Sequence, residues 1–315
     1  MMLLSYFELF FDNSLMDIIL TETNGYAFQH PGSSQNLWSP ITMEELYIFL
    51  AITILQGIIR KPEIRMYWSK VEIFQSPIFP KLLSFRRYSE IKRYLHFSNN
   101  ETYDAEIHPH PKLNKIWPVF DHINKKCSSL YTPERDIRID ESLLLYKGRM
   151  KWKQYIPLKR ARFGIKMYLL CESKTGYLYS SIIYTGKGTN LSDAYREMPV
   201  STQVVLSLIE PLLDKGYCLT TDNFYTSPQL ADFLVKRQTD TYGTLKSTRK
   251  EVPSEIRNKK LKKGDVIAFQ RGKVMAMKWK DKKDVCLLST IHNTHQENTS
   301  KTANEWYSNK ETQKL

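Results

Sequence analysis

The feature that most constrains this chain is a change of hydrophobic period after Pro133. Upstream, apolar residues recur at helical spacing. Asn13 is placed to cap a helix carrying Leu15, Ile18 and Ile19, and Thr42 with Glu45 forms a capping box at the head of a helix running towards Ile59. A further amphipathic segment sets Phe85, Tyr88, Ile91 and Leu95 on one face, with Arg86, Arg87 and Arg93 elsewhere around it.

Downstream, Asp136 to Asp140 alternates as a strand that ends at Asp140, and Phe163 to Cys171 and Tyr177 to Tyr184 follow as two more. The turn-like residues 173–176 join the last two, so the three read as an antiparallel meander. Val204 to Leu213 returns to helical spacing, and Tyr217 to Thr221 is a strand. Ser227 and Pro228 then open a helix through Val235, and a strand lies near Thr241 to Leu245. The order βββαβαβ predicts an α/β fold with a ribonuclease H-like core and a mixed sheet, preceded by a helical domain and followed by a basic insertion. The boundaries drawn on this basis are 1–135 helical, 136–245 core, 246–290 lysine-rich insertion and 291–315 polar mobile tail.

Composition narrows the partners. With 42% apolar residues the chain has material for a core. Its formal charge of +13 comes from 46 Lys and Arg against 33 Asp and Glu. That balance favours a polyanion through counterion release, nucleic acid before an anionic membrane. The charge is clustered: Lys147 to Lys166 holds eight Lys and Arg and no acid, and Lys246 to Lys283 holds fourteen against four acids. Lys147, Arg149, Lys151, Lys153, Lys159, Arg160, Arg162, Lys246, Arg249 and Lys250 are the candidate nucleic-acid contacts. Trp152 and Tyr155 lie amid the first cluster, a mixture that suits DNA contact and equally suits core packing.

Other chemistries find little support. Cys127, Cys171, Cys218 and Cys286 are isolated and read as reduced residues of an intracellular protein. The most apolar stretch, Leu46 to Ile59, falls short of the roughly 20 residues of a bilayer span. No secretory signal is apparent at the N-terminus. His108 and His110, and His292 and His295, lack the cysteine neighbours of a zinc site and read as structural. Gly186-Lys187-Gly188 is too short for a phosphate loop, so no small-molecule substrate is expected.

Asp140 and Asp222 are the candidate catalytic and metal-binding residues. Phosphodiester cleavage by two Mg²⁺ ions about 3.5–4 Å apart needs carboxylates projecting from strand ends, and these two lie at the ends of runs that would be neighbours in the proposed sheet. On spacing alone, strand-end aspartates that make turns are the favoured reading.

The surrounding phrases shift that balance. IDESLLLYKGR, KQYIPLKRARFGIKMYLLCESKTGYL, YTGKGT, TDNFYTSPQL, YGTLKSTRKEVP and KWKDKKDVCLLSTIH, in this order, resemble the catalytic region of piggyBac transposases. Upstream, YFELFF, ETNGYAF and SPITMEELYIFLAITILQGIIRKPEIRMYWSK are similar to that family's helical region. The resemblance implies descent from a nuclear cut-and-paste DNA transposase, with three aspartates binding two divalent metals in a ribonuclease H-like domain. It implies that Asp140 and Asp222 match the first two. It further implies that the helical region is part of a dimerisation and DNA-binding domain, so that DNA and a homodimer, or a full-length transposase, are the expected partners.

The third aspartate of the family lies in a glycine-valine-aspartate context beyond KWKDKKDVCLLSTIH, where this sequence has NTHQENTSKTANEWYSNKETQKL. The family's cysteine-rich zinc module and acidic N-terminal extension also have no counterpart in these residues. Asp281 and Asp284 belong to a phrase kept alongside the third aspartate, and Glu297, Glu305 and Glu311 lie in the polar tail. Catalytic carboxylates need placement to within about half an ångström. The expectation is a transposase-derived DNA-binding protein, with weak or lost Mg²⁺ binding and no cleavage by this chain as it stands. Two alternatives stay open: a fragment of an active transposase whose third aspartate is encoded downstream, and a decaying remnant without a function.

Overall fold

The structure is a computed structural model that describes residues 2–31, 38–157 and 159–294. The chain forms two compact units, Met1–Pro133 with Glu141–Asp193, and Glu134–Asp140 with Ala194–Leu315.

In the first unit the described residues open with six α-helices: α1 (Met2–Phe10), α2 (Asn13–Gln29), α3 (Met43–Ile58), α4 (Ile78–Leu82), α5 (Phe85–Tyr94) and α6 (Trp117–Leu130). Asp12, not Asn13, caps α2: its carboxylate accepts from the Leu15 backbone N–H at 3.1 Å, while Asn13 is already helical. The two neighbours are near-equal cappers by residue type, and the acid gains from the positive helix end and from Lys126 at 2.7 Å. The capping box of Thr42 and Glu45 is present at α3. Arg87 on α5 spans from Glu45 to the carbonyls of Ser39 and Pro40, which occupies its guanidinium inside the helical region. Leu15, Ile19, Leu46, Phe49, Tyr88 and Ile91 meet in the helical core, as the helical spacing requires.

The strands of this unit follow. β1 (Asp136–Leu145) contributes its second half; β2 (Gln154–Tyr155) and β4 (Leu178–Ile183) pair antiparallel with β3 (Phe163–Glu172). Gly164 on β3 lies so close to β1 that a Cβ there would stand 2.2 Å from the Leu144 carbonyl oxygen. Helix α6 is tied to this hairpin through Asn124, whose amide oxygen accepts from the Ser181 N–H at 2.8 Å.

The second unit holds α7 (Val200–Ile209), β5 (Cys218–Thr221), α8 (Pro228–Lys236), β6 (Asp240–Thr244), α9 (Ser254–Asn258), β7 (Val266–Arg271), β8 (Val274–Lys280) and β9 (Asp284–Ser289). The first half of β1 pairs parallel with β5, and β5 parallel with β6. β9 then pairs antiparallel with β6, β8 with β9 and β7 with β8. Ser227 caps α8, with Pro228 at its first position. The sheet is therefore mixed, and the expected order βββαβαβ is present with the short β2 added.

A further expectation differs from the structure. β1 does not stop at Asp140 but continues to Leu145, because the apolar Leu143 and Leu144 pass on to a second neighbour, β3, after the pairing with β5 ends. Within the lysine-rich stretch, β9 joins β6 through the register Tyr242 to Ser289 and so extends the same sheet. Lys278, in the middle of that stretch, is buried with its ammonium on the Lys259 carbonyl at 2.8 Å and on Asp284 at 3.1 Å. The polar tail from 295 onward lies outside the described residues.

Candidate active site

The alternation of β1 buries Ile137 and Ile139 and turns Arg138 and Asp140 to the opposite face. On β5, Leu219 and Thr221 are buried, and Asp222 is the first residue beyond the strand. The parallel register pairs Asp136 with Cys218 and Arg138 with Thr220; the same offset, carried two residues further, sets Asp140 beside Asp222. Both aspartates line one cleft of about 370 Å³, together with Arg138, Thr221, Thr244 and Leu287. Asp140 is exposed and Asp222 half-buried.

Asp222 is held by its own turn. One carboxylate oxygen accepts from the Phe224 N–H at 2.9 Å. Its carbonyl accepts from the Thr226 N–H at 3.0 Å and the Thr226 hydroxyl at 2.7 Å. The hydroxyls of Thr221 and Thr226 meet at 2.8 Å in the interior. Beneath the turn, Gly243 on β6 faces Thr221; a Cβ there would lie 2.0 Å from the Thr221 carbonyl oxygen and 2.8 Å from the Thr226 hydroxyl. From above, the Arg249 guanidinium donates to the carbonyls of Asn223, at 3.1 Å, and of Phe224.

Sequence reasoning brought Asp140 and Asp222 together and missed the three residues that fix the turn. A glycine inside a strand-like run is a recognised sign of close backbone approach, so Gly243 was open to detection. Thr226 and Arg249 carry no comparable local signal. Arg249, read as a nucleic-acid contact, is engaged with the turn, whereas Lys246 and Lys250 are exposed.

The other cluster lies in the first unit, on the loop between β1 and β3. Lys147, Arg149, Lys151, Lys159, Arg160 and Arg162 are exposed there, and Lys153 is half-buried, with its ammonium on the Gly148 carbonyl at 3.0 Å. Trp152 is half-buried and Tyr155 exposed.

The remaining candidates have local occupations. His110 stacks on Trp117 at 3.8 Å, and burial pushes its pKa down. His292 meets the Ser289 hydroxyl at 2.9 Å and the Tyr242 ring edge-on. Asp284 is paired with Lys280 and Lys278, which hold its carboxyl below the usual range. His295, Glu297, Glu305 and Glu311 lie outside the described residues. All four cysteines are free thiols, with Cys127 and Cys218 buried.

As a metal site, two adjacent carboxylates at the mouth of an open cleft suit one hard cation that keeps most of its water. Among the described residues no group of three or more His, Cys, Asp or Glu gathers as ligands. Among the described residues the two carboxylates offer fewer ligands than a two-metal centre needs.

Known proteins resemble this chain over most of its length. A family profile described as Transposase IS4 matches residues 4–315. PiggyBac transposable element-derived protein 2 of Homo sapiens is 28% identical over 293 residues, covering 90% of this chain and 47% of its own length. PiggyBac transposable element-derived protein 3 of Homo sapiens is 27% identical over 297 residues, covering 91% of this chain and 48% of its own. The chain spans about half the length of these curated relatives. A solved piggyBac transposase, in a synaptic complex with hairpin DNA, superposes with a TM-score of 0.83 at 24% identity, covering 94% of this chain and 62% of that one. That likeness is one of fold, and it carries the ribonuclease H-like arrangement read from the strand order. With a profile match over nearly its whole length and relatives of piggyBac origin, the chain belongs to the Transposase IS4 family, in its piggyBac group.

Proposed function

We propose that this chain is a nuclear DNA-binding protein of transposase descent that holds one divalent cation at Asp140 and Asp222 and does not cleave DNA by itself. The observation that carries the DNA reading is the loop between β1 and β3, where six exposed Lys and Arg stand in a run free of acids. Cations so arranged release counterions from a phosphate backbone, giving affinity that depends steeply on salt and little on sequence. The solved relative in its complex with hairpin DNA is consistent with the same partner. Lys246 and Lys250, in the second unit, are further candidate phosphate contacts.

Asp140 and Asp222 supply oxygen ligands side by side, and the Arg249–Thr226 turn keeps the second from swinging away. A Mg²⁺ ion bound there would neutralise phosphate charge and orient a water. Cleavage through the two-metal route needs a further carboxylate to fix the second ion. A second reading follows from the greater length of the relatives: a third carboxylate outside these 315 residues would complete the centre, and the whole product would then cleave.

The test is titration calorimetry with Mn²⁺ on the folded chain, on Asp140→Asn and on Asp222→Asn, alongside duplex binding across a salt series. One bound ion lost in both variants, with salt-dependent duplex affinity, is the expected result. Absence of duplex affinity overturns the DNA reading, and Mg²⁺-dependent nicking by the 315-residue chain that Asp140→Asn abolishes overturns the absence of cleavage.

A further inference from the structure

The loop between β1 and β3 carries more than charge. Tyr155 on β2 and Phe163 on β3 are direct cross-strand partners, with ring centroids 4.6 Å apart and planes at 32°. Both face solvent, 56% and 46% exposed. An aromatic pair of this area ordinarily goes into a core. Here the hairpin holds it outward: the Ile156 N–H donates to the Arg162 carbonyl at 2.8 Å, and β2 is an edge strand that no further described strand covers.

What surrounds the rings selects their partner. Lys151, Lys159, Arg160 and Arg162 are exposed on the same hairpin, and the Lys153 ammonium sits 5.6 Å from the Phe163 ring centre. An apolar protein surface would have to desolvate these cations without compensation. A DNA duplex would satisfy the cations but keep its bases stacked inside, leaving the rings without a partner. An unpaired strand offers both phosphates and open base faces, and stacking on aromatic rings is tolerant of base identity.

We propose that the Tyr155–Phe163 hairpin is a binding site for unpaired DNA, in which bases stack on the two rings while the flanking cations take the phosphates. This rests on the DNA-binding reading above and specifies the form of DNA at this loop.

The test compares a labelled oligothymidine with a duplex of equal length by fluorescence anisotropy, using the full chain, Tyr155→Ala, Phe163→Ala and Tyr155→Phe. Loss of a ring is expected to weaken oligothymidine binding by about fivefold or more. Duplex affinity should change by less than about twofold, since phosphate contacts are untouched. Tyr155→Phe, which keeps the stacking face, should bind as the parent does. Tyr155 lies on the edge strand, so its substitution gives a folded reporter if Phe163→Ala is unstable. Oligothymidine affinity that ignores the rings, or equal loss for both ligands, overturns this inference while leaving the DNA-binding reading standing. No affinity of the parent chain for either ligand overturns it together with the DNA-binding reading.

Discussion

Gly243→Ala should be among the most damaging single substitutions available in the second unit, although it adds one methyl group. The added Cβ would stand 2.0 Å from the Thr221 carbonyl oxygen, 3.0 Å from its carbon and 2.8 Å from the Thr226 hydroxyl. Two of these atoms are backbone of the neighbouring strand, so relief requires β5 and β6 to part. Overpacking of a tight interior costs about 1–3 kcal/mol. The upper end applies here, because the separation also strains the Thr221–Thr226 hydrogen bond, worth about 1 kcal/mol. A loss of about 3 kcal/mol corresponds to roughly 6–12 °C in melting temperature for a unit of this order of size. Gly25→Ala provides the opposite sign: that glycine lies inside α2, exposed, and a methyl group added to it would meet nothing within 4 Å. It should gain about 0.5–1 kcal/mol from helix propensity. Thermal melts of the parent and both variants, followed by circular dichroism, make the measurement. A Gly243→Ala melt within a degree of the parent would refute the close-approach reasoning.

Two further outcomes are expected. Arg249→Ala removes the donors on the Asn223 and Phe224 carbonyls, so Mn²⁺ affinity at Asp140 and Asp222 should fall about 10- to 100-fold in calorimetry, as for outer-shell partners of metal ligands, with the fold retained; unchanged affinity would mean that the turn holds itself. The Arg87 guanidinium beside Glu45 holds that carboxyl below its usual value of 4.5, so the stabilisation is present above that value and is lost as pH falls through the lower folded value. Urea melts at neutral and acid pH should therefore show a smaller acid loss in Glu45→Gln than in the parent, and equal losses would remove this pair from the account.

The local patterns in the sequence were informative where one element determines its own form. The box of Thr42 and Glu45, the Ser227–Pro228 start of α8 and the alternation around Ile137 and Ile139 all translate directly, because their partners lie within a few residues. Pairing across long separations was less legible. Nothing local in Asp284–Ser289 announces β6 as its neighbour, and a lysine run hides the buried Lys278 because charge counts ignore the carbonyl and carboxylate that receive it. At the site the two acids were legible from residue type and strand position, while Arg249 looked like one more surface cation until its carbonyl partners were placed. β2 escaped notice because two residues carry no period of their own.

The side-by-side setting of Asp140 and Asp222 depends on a register between segments far apart in the chain. In evolutionary terms, length changes in the segments at 173–177 and 184–192 leave that register intact. A single-residue insertion or deletion within 136–140 or 218–222 would instead turn one carboxylate to the opposite face of the sheet. Descendants of this fold can therefore be sorted by indel position: an alteration inside either short segment undoes the side-by-side placement of the two aspartates even where both survive in an alignment.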